Sequence, residues 1–327
     1  MQYLIGTDEA GYGPNLGPLV ISATVWRVPD GVRGEDLFGL LDRVVAPAIE
    51  RTARRAGGNG CPRIAMADSK VLYQPGNGLR HLERGLWAAM GVLKQRPTTW
   101  SEVWDALAPD SAAARQAMPW HVDYQSPAPC DADPAEIDAL VASLGEGLAQ
   151  AGVELVAMCS RAIFPREFNE LVERFDNKAT ALSHATLELV ARRMQPLDGH
   201  SISVLCDKHG GRNRYAPLLA EHFPDRLVEI HGEGRERSVY RFGPPEQRVE
   251  FSFQMKGESH LSAALASMAS KYLRELAMQA FNAFWRQRVS GLRPTAGYPQ
   301  DAKRFRAEIA ATQADLQIDD CTLWRER

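Results

Sequence analysis

The spacing of hydrophobic and polar residues along the chain predicts strands that alternate with helices. Residues 3–8 and 17–26 are β-rich runs, and the Gly- and Pro-bearing segment 10–16 between them predicts a hairpin with an elaborate turn. Further strands are predicted at residues 153–159, 201–206, 226–231 and 249–254. Helical periodicity predicts helices at residues 79–94, 165–175, 179–194 and 261–285. This interleaving indicates an α/β layered fold that opens with an antiparallel pair of strands.

Two stretches interrupt this pattern and look inserted. Residues 29–62 end in a glycine-rich tail, and residues 97–151 are rich in Ala, Pro and Asp with weak periodicity. We expect Trp100, Trp104 and Trp120 in the second stretch to be exposed. The pattern leaves open whether this stretch is a lid, an interaction arm or a helical excursion.

Composition and charge narrow the class of protein. The 327 residues are 45% hydrophobic and 24% charged, which suits a globular chain with a sizeable core. Thirty-eight Lys and Arg against 41 Asp and Glu give a net charge of −3, so the overall basic balance of a nonspecific nucleic-acid coat is missing. A local basic groove stays open.

Cysteine usage and the N-terminus bear on the compartment. The five cysteines form no C-x-x-C pair, which argues against a thiolate zinc site or a disulfide framework and fits a reducing cytosol. Asp8 and Glu9 interrupt the first apolar run, and no stretch approaches the ~18 apolar residues of a membrane span. We therefore expect a cytoplasmic protein without a membrane partner.

Carboxylates fall at the ends of predicted strands. Asp8 follows an apolar run and stands beside Glu9, while Asp207 closes the apolar run of residues 202–206. Strand ends in open α/β sheets are a common place for ligand sites. An Asp that leaves a strand for a loop is also ordinary turn chemistry, so each residue alone has two interpretations.

A further carboxylate, Glu275, lies within the apolar stripe of the long predicted helix. Burial of an unpaired carboxylate costs several kcal/mol, so Glu275 needs a cation. That cation is either Arg274 or Lys271 in a buried salt bridge, or a metal ion that also gathers the other acids. Four acids without a His pair or Cys cluster favour Mg²⁺ or Mn²⁺ over zinc, and two such ions suit phosphoryl chemistry.

Six sequence boxes then occur in an order that resembles one known family. Residues 6–14, Gly-Thr-Asp-Glu-Ala-Gly-Tyr-Gly-Pro, followed by Gly17-Pro18, resemble the N-terminal signature of type 2 ribonucleases H. The other boxes are Asp68-Ser69-Lys70, residues 177–193, the strand that ends at Asp207, Lys256-Gly257-Glu258 with residues 266–275, and residues 297–303. The resemblance covers roughly residues 1–30, 64–95 and 153–310 and leaves both inserted stretches outside.

This resemblance implies a fold and an activity. It implies a ribonuclease H-like α/β fold, with a mixed central sheet flanked by helices, insertions and a C-terminal helical extension. Residues 1–285 would form the catalytic domain and residues 286–327 a substrate-binding extension. The implied reaction is metal-dependent endonucleolytic cleavage of RNA in RNA/DNA hybrids, or at a ribonucleotide embedded in duplex DNA.

The resemblance also implies roles for individual residues. Asp8, Glu9, Asp207 and Glu275 would be the catalytic, metal-binding acids for Mg²⁺ or Mn²⁺. The backbone of the turn Gly11-Tyr12-Gly13 would contact the 2′-hydroxyl, which glycine flanks permit at close range. Further substrate-binding groups would be Ser69, Lys70, Lys271 and Tyr298.

The chain departs from the family pattern at two of these positions. Tyr12 stands where the family has Arg or Lys, and Glu275 stands where it has Asp. The loop of residues 208–214 is basic and glycine-rich, which indicates either a phosphate contact or a solvated charged loop, and His209 within it is a candidate for proton transfer. Two other functions stay open: a non-catalytic protein that binds hybrid or structured nucleic acid, and a related nuclease that acts on a different duplex.

Overall fold

The structure is a computed structural model that describes residues 1–49, 63–73 and 78–326. The glycine-rich tail of the first inserted stretch, with Cys61, lies outside the described residues. Among the described residues, no helix is both long enough and apolar enough to cross a membrane.

Strands and helices alternate along the described chain. The strands are β1 (Gln2–Ala10), β2 (Leu19–Val28), β3 (Val45–Ala46), β4 (Ile64–Ala65), β5 (Glu154–Ile163), β6 (Ile202–Asp207), β7 (Glu229–Glu233), β8 (Arg237–Phe242) and β9 (Val249–Gln254). The helices are α1 (Leu37–Leu40), α2 (Ser69–Leu72), α3 (Arg80–Val92), α4 (Trp100–Leu107), α5 (Ala112–Gln116), α6 (Pro134–Ala151), α7 (Pro165–Phe175), α8 (Lys178–Met194), α9 (Ala216–His222), α10 (Leu261–Arg288), α11 (Pro299–Asp315) and α12 (Asp320–Leu323).

Within the described residues, seven strands form one mixed sheet in the order β5-β2-β1-β6-β9-β8-β7. Strands β1, β6 and β9 run parallel to one another, whereas β2, β5, β7 and β8 pair antiparallel to their neighbours. The carboxyl ends of the three parallel strands therefore meet at one edge of the sheet. Asp8 lies near the end of β1, and Asp207 ends β6.

Each face of the sheet is covered by its own hydrophobic core. On one face the long helix α10 packs against β1 and β2, together with α3, α4 and α6. On the other face α8 and α9 cover a second core that includes stacked Tyr215 and Phe253. The prediction of a mixed sheet flanked by helices, with helices at the C-terminal end, is confirmed.

The inserted stretch 97–151 is part of this core, so the expectation of exposed tryptophans is wrong. Trp100, Trp104 and Trp120 are only 2%, 1% and 5% exposed, and Trp100 donates its indole N–H to the carbonyl of Leu276 in α10. The buried carboxylate of Glu83 accepts backbone N–H groups of residues 130–132 and the Tyr272 hydroxyl. The stretch is therefore built into the first core.

The C-terminal helices pack onto the same core. Phe305 of α11 contacts Phe281 of α10, and both rings are buried. Helix α10 itself continues past residue 285 to Arg288, across the predicted domain boundary. The last described residues return to the first turn of the chain, where Trp324 pairs with Leu16 in an isolated bridge.

Candidate active site

Asp8 and Asp207 meet where β1 and β6 end. The backbone of Asp8 is fixed from both sides, because its carbonyl accepts the Ser270 hydroxyl at 2.9 Å and its strand pairs with Ser22 of β2. The Asp207 carboxylate accepts backbone N–H groups of Lys208 and Gly257. Electrostatic repulsion couples Asp8 to Glu9 and to Asp207. The structure thus places Glu9 and Asp207 within electrostatic reach of Asp8.

The surroundings of these acids change how readily they ionise. Burial raises the pKa of Asp8 well above its ordinary value, and the charges of Glu9 and Asp207 raise it further. Burial also raises the pKa of Asp207, against the opposing effect of the two backbone N–H groups and of the Lys70 ammonium. The cluster therefore carries unfavourable negative charge that a cation would stabilise.

Ser267 of α10 links Asp8 to the box at residues 68–70. Its hydroxyl hydrogen-bonds to the Asp8 side chain, lies 3.4 Å from the Asp68 carboxylate and lies 3.1 Å from the Ser69 hydroxyl. Asp68 also caps the N-terminus of α2 by accepting the Lys70 backbone N–H. Ser69 is buried, whereas the Lys70 side chain is 86% exposed, 3.8 Å from the Asp68 carboxylate.

Asp68 is an acid near the site that the sequence-based assignment omitted. Its charge contributes to the raised pKa of Asp207, so the two carboxylates lie within electrostatic reach of each other. Asp is common at a helix N-cap, so its presence at this position does not by itself indicate a role among the acids. The signal that could have found it is its place in the Asp-Ser-Lys box.

Glu275 has different neighbours from the other predicted acids. Its carboxylate accepts hydrogen bonds from the Lys271 ammonium at 2.5 Å and from the Tyr73 hydroxyl at 3.0 Å. The Lys271 ammonium also lies over the Tyr73 ring, 4.3 Å from its centroid. Along α10, five residues, or about 7.5 Å of helix rise, separate Glu275 from Ser270, whose hydroxyl contacts the Asp8 carbonyl. The structure therefore shows a half-buried salt bridge between Glu275 and Lys271, which is one of the two interpretations that the sequence allows.

The turn of residues 11–13 lies beside the acids. Gly11 has a φ of +91°, and a Cβ there would stand 2.5 Å from the Pro18 carbonyl oxygen, so only glycine fits. A Cβ at Gly13 would meet nothing nearer than the Tyr298 ring at 3.9 Å, which leaves that side of the turn open. The Lys178 ammonium lies 4.6 Å from the centre of the Tyr12 ring.

Tyr298 is exposed next to Gly13, as its predicted contact with substrate requires. His209, in contrast, is buried against Tyr215 and Phe253 and hydrogen-bonds to Ser183 at 3.0 Å. Burial lowers the pKa of His209 to about 3. Its position in the second core argues against the predicted proton transfer.

The donor chemistry of the acids fits a hard divalent cation. Carboxylate oxygens from Asp8, Glu9 and Asp207 are the ligands that Mg²⁺ and Mn²⁺ prefer. Among the described residues, no three His, Cys, Asp or Glu side chains stand close enough together to enclose an ion as they are placed.

No family model matches the chain, and no curated protein matches it. Solved structures do match. One is the complex of PCNA with ribonuclease HII from Archaeoglobus fulgidus, at 14% identity and a TM-score of 0.45, covering 100% of this chain and 95% of that one.

Two others are similar at the same level. Ribonuclease H2 from Pyrococcus horikoshii OT3 has 14% identity and a TM-score of 0.39, over 98% of this chain and 92% of that one. Bst-RNase HIII in complex with Mn²⁺ has 14% identity and a TM-score of 0.42, over 99% of this chain and 66% of that one. These solved structures are of the ribonucleases H that the sequence boxes of this chain resemble.

Proposed function

We propose that this chain is a divalent-metal-dependent endoribonuclease that cleaves RNA in RNA/DNA hybrids or at ribonucleotides embedded in duplex DNA. The observation that carries the proposal is the meeting of Asp8, Glu9 and Asp207 at the carboxyl edge of parallel strands. The order of the sequence boxes supports it, because these acids fall in the boxes that resemble type 2 ribonucleases H.

In this proposal Asp8, Glu9 and Asp207 hold Mg²⁺ or Mn²⁺. When bound, such ions activate water for attack on a phosphodiester and stabilise the leaving oxygen. Ser270 and the Gly257 N–H orient the two aspartates, since one fixes the Asp8 backbone and the other contacts the Asp207 carboxylate. Lys70, whose charge acts on Asp207, is placed to attract the scissile phosphate.

The turn at residues 11–13 would select for ribose. Gly11 keeps the backbone in a conformation that only glycine adopts there, and Gly13 leaves one side of the turn accessible. Backbone groups can therefore approach a 2′-hydroxyl closely, which distinguishes RNA from DNA. Tyr12, Ser69 and Tyr298 remain proposed substrate contacts.

The identity of a fourth acid is part of the proposal to be tested. Glu275 was assigned from the sequence, but its contacts are with Lys271 and Tyr73. Asp68 is within electrostatic reach of Asp207. The backbone of Glu258 follows Gly257, whose N–H contacts Asp207, so this residue is also a candidate by its place in the chain.

The test is cleavage of labelled substrates with Mg²⁺, Mn²⁺ or a chelator. The substrates are an RNA/DNA hybrid, a DNA duplex with one ribonucleotide, and plain duplex DNA. We expect metal-dependent cleavage of the first or second and none of the third. Binding without cleavage under every metal would favour the non-catalytic alternative, and cleavage of plain DNA would favour a nuclease for a different duplex.

Variants of the acids sharpen that test. We expect Asp207→Asn to abolish cleavage and Glu275→Gln to retain it. Loss of cleavage in either Asp68→Asn or Glu258→Gln would identify the fourth ligand.

The free thiols of Cys130, Cys159, Cys206 and Cys321 support a reducing, cytoplasmic compartment as part of the same proposal.

A further inference from the structure

The side of Asp207 that faces the β7–β8 hairpin carries an open depression of about 640 Å³. Among the described residues, its lining holds three cations, Lys208, Arg235 and Lys256, against one carboxylate, that of Asp207. The overall charge of the chain is negative, so this local surplus of positive charge is a distinct feature of the surface.

The hairpin that forms one wall of this depression extends the sheet beyond β9. Its turn lies between β7 and β8 and contains Gly234 and Arg235. The carbonyl of Glu236 accepts the backbone N–H of Met255 at 3.0 Å, so the turn is attached to the end of β9. The hydroxyl of Ser238 donates to the Asn213 carbonyl at 2.7 Å, which attaches the hairpin to the loop after Asp207.

Lys208 connects the hairpin to the loop after Asp207 through hydrogen bonds. Its ammonium donates to the Gly234 carbonyl at 2.6 Å and contacts the side chains of Asn213 and Ser238 at 3.1 Å each. This cation is therefore used within the protein, contrary to a simple phosphate contact from the loop 208–214. The turn, the loop and the end of β9 form one block beside Asp207.

Arg235 and Lys256 are the exposed cations on this block. Among the described residues, no carboxylate lies within ion-pair distance of either side chain. The nearby carboxylate of Glu233 is held by the Tyr240 hydroxyl at 2.7 Å and lies 3.7 Å from Arg214, while Glu236, next to Arg235, is exposed. The two cations thus remain accessible to an anion in the depression.

The backbone of Lys256 gives an independent reason to assign it a role. Its φ of +62° and ψ of +43° are left-handed, a conformation that costs a lysine folding free energy and costs a glycine very little. Strain of this kind is retained where a side chain is needed. Here the strained residue presents a cation directly beside the turn that contacts Asp207.

We infer that Arg235 and Lys256 form a phosphate-binding wall for the strand of the nucleic-acid duplex that passes beside Asp207. This inference rests on the proposed function and adds the contact surface that would hold the substrate next to the acids. The occupant is a duplex backbone, because successive phosphates of one strand offer a partner to each of the two accessible cations, whereas Asp207 in the lining would repel an isolated small anion.

The test measures binding, separately from cleavage. A fluorescein-labelled RNA/DNA hybrid is titrated with wild type, Arg235→Gln, Lys256→Gly and the double variant in EDTA, between about 50 and 200 mM KCl. We expect the double variant to bind about tenfold more weakly, and its log–log salt slope to fall by about 1 to 2, as for the loss of one or two phosphate contacts.

Arg226→Gln is the matched control, because Arg226 precedes β7 at the opposite end of the hairpin and pairs with Asp198 at 3.3 Å. It should bind within about twofold of wild type. Wild-type affinity and slope in the double variant, or an equal loss in the control, would overturn the wall. If wild type cleaves hybrid in Mg²⁺ while the double variant binds normally, only the wall fails; if wild type neither binds nor cleaves, the proposed function fails first.

Discussion

Two groups of cations flank the acid cluster, and they differ in burial. Arg274 and Arg325 lie behind the turn of residues 11–16 and are buried, whereas Arg235 and Lys256 lie on the other side of Asp207 and are exposed. The buried pair contacts backbone carbonyls, and the exposed pair faces solvent. Positive charge therefore stabilises buried backbone on one side of the acids and is exposed to solvent on the other.

The buried arginines supply the hydrogen bonds that water would otherwise donate to the backbone carbonyls of the turn. Arg325 is 1% exposed and donates to the carbonyls of Gly11 and Pro14, although 314 and 311 residues separate them in the chain. Arg274 donates to the carbonyls of Leu16 and Ala296. Burial, with the charge of Arg274, lowers the pKa of Arg325 to about 9. The end of the predicted substrate-binding extension thus supports the turn from behind.

The acids between the two groups give the largest expected effect. Asp8→Asn should reduce cleavage by at least about a thousandfold, because it removes a metal ligand. It should also raise the melting temperature, since burial and neighbouring charges make the Asp8 carboxylate unfavourable in the folded state. Cleavage rates and thermal unfolding measure both. A variant that lost activity because it unfolded would contradict this account.

Loss of a buried arginine should cost stability. Arg325→Met should destabilise the fold by about 2–4 kcal/mol, because the carbonyls of Gly11 and Pro14 lose their donors. Arg235→Gln, on the exposed side, should change stability by less than about 0.5 kcal/mol. Urea denaturation of both variants checks the contrast. Equal effects would remove the distinction between the two groups.

His121 is a further buried basic residue, and its charge depends on the pH. It is buried near Trp100 and Arg115, and burial lowers its pKa to about 3. Below about pH 6.5 the His121 side chain binds a proton in the unfolded chain but stays neutral in the folded chain. The free energy of unfolding therefore falls as the pH drops from about 6.5 toward 3. The expected loss is about 2 kcal/mol at pH 5 relative to pH 7.

Denaturation of His121→Gln at both pH values measures this contribution, and exposed His231→Gln is the control. We expect His121→Gln to lose about 2 kcal/mol of the pH dependence and the control to keep it. An unchanged pH dependence in His121→Gln would show that this residue is accessible to protons in the folded state.

Substitutions of the two glycines in the turn distinguish an effect on stability from an effect on the approach of substrate. Gly11→Ala should destabilise by about 1–3 kcal/mol, because its backbone is left-handed and the added Cβ meets Pro18 and Arg274. Gly13→Ala should leave stability within about 0.5 kcal/mol, since its Cβ has space, yet slow cleavage at ribonucleotides about tenfold or more. Unfolding and cleavage assays together decide, and full activity in Gly13→Ala would remove the turn from ribose recognition.

A modest gain in stability is expected from a substitution of Lys256. Lys256→Gly should stabilise the fold by about 1 kcal/mol, because glycine adopts the left-handed conformation without strain. Thermal unfolding measures the change, and Lys70→Gly, at an α-helical position, should destabilise instead. A loss of stability in Lys256→Gly would mean that the lysine side chain supports the fold.

Local patterns predicted much of the fold. Helix α7 begins and ends at the predicted residues, because Pro165 starts it and its apolar stripe is continuous. Strand β9 also matches its predicted bounds, and the remaining predicted strands and helices are present with ends shifted by a few residues. Strand β8 was not predicted, since Arg237–Phe242 is short and its outward side chains include two arginines.

Contacts between distant residues could not be predicted in the same way. Trp100 and Trp104 look exposed in a polar, weakly periodic stretch, but α10 and Phe164 of other segments cover them. The link from Ser267 to Asp8 joins residues more than 250 positions apart, and Arg325 reaches Gly11 across the whole chain. For Glu275 the sequence allows a metal or a salt bridge, and its contact with the Tyr73 hydroxyl, 202 positions away, could not be predicted from the pattern.

Thermal unfolding in the presence of Mn²⁺ tests the central claim that Asp8, Glu9 and Asp207 hold a divalent metal ion. A ligand that binds only the folded state raises its melting temperature, and the rise grows with the logarithm of the ligand concentration relative to the dissociation constant. We predict a concentration-dependent rise for wild type, loss of the rise in Asp207→Asn, and its retention in Glu275→Gln. A rise that survives in Asp207→Asn and disappears in Glu275→Gln, or no rise in wild type, would contradict the account.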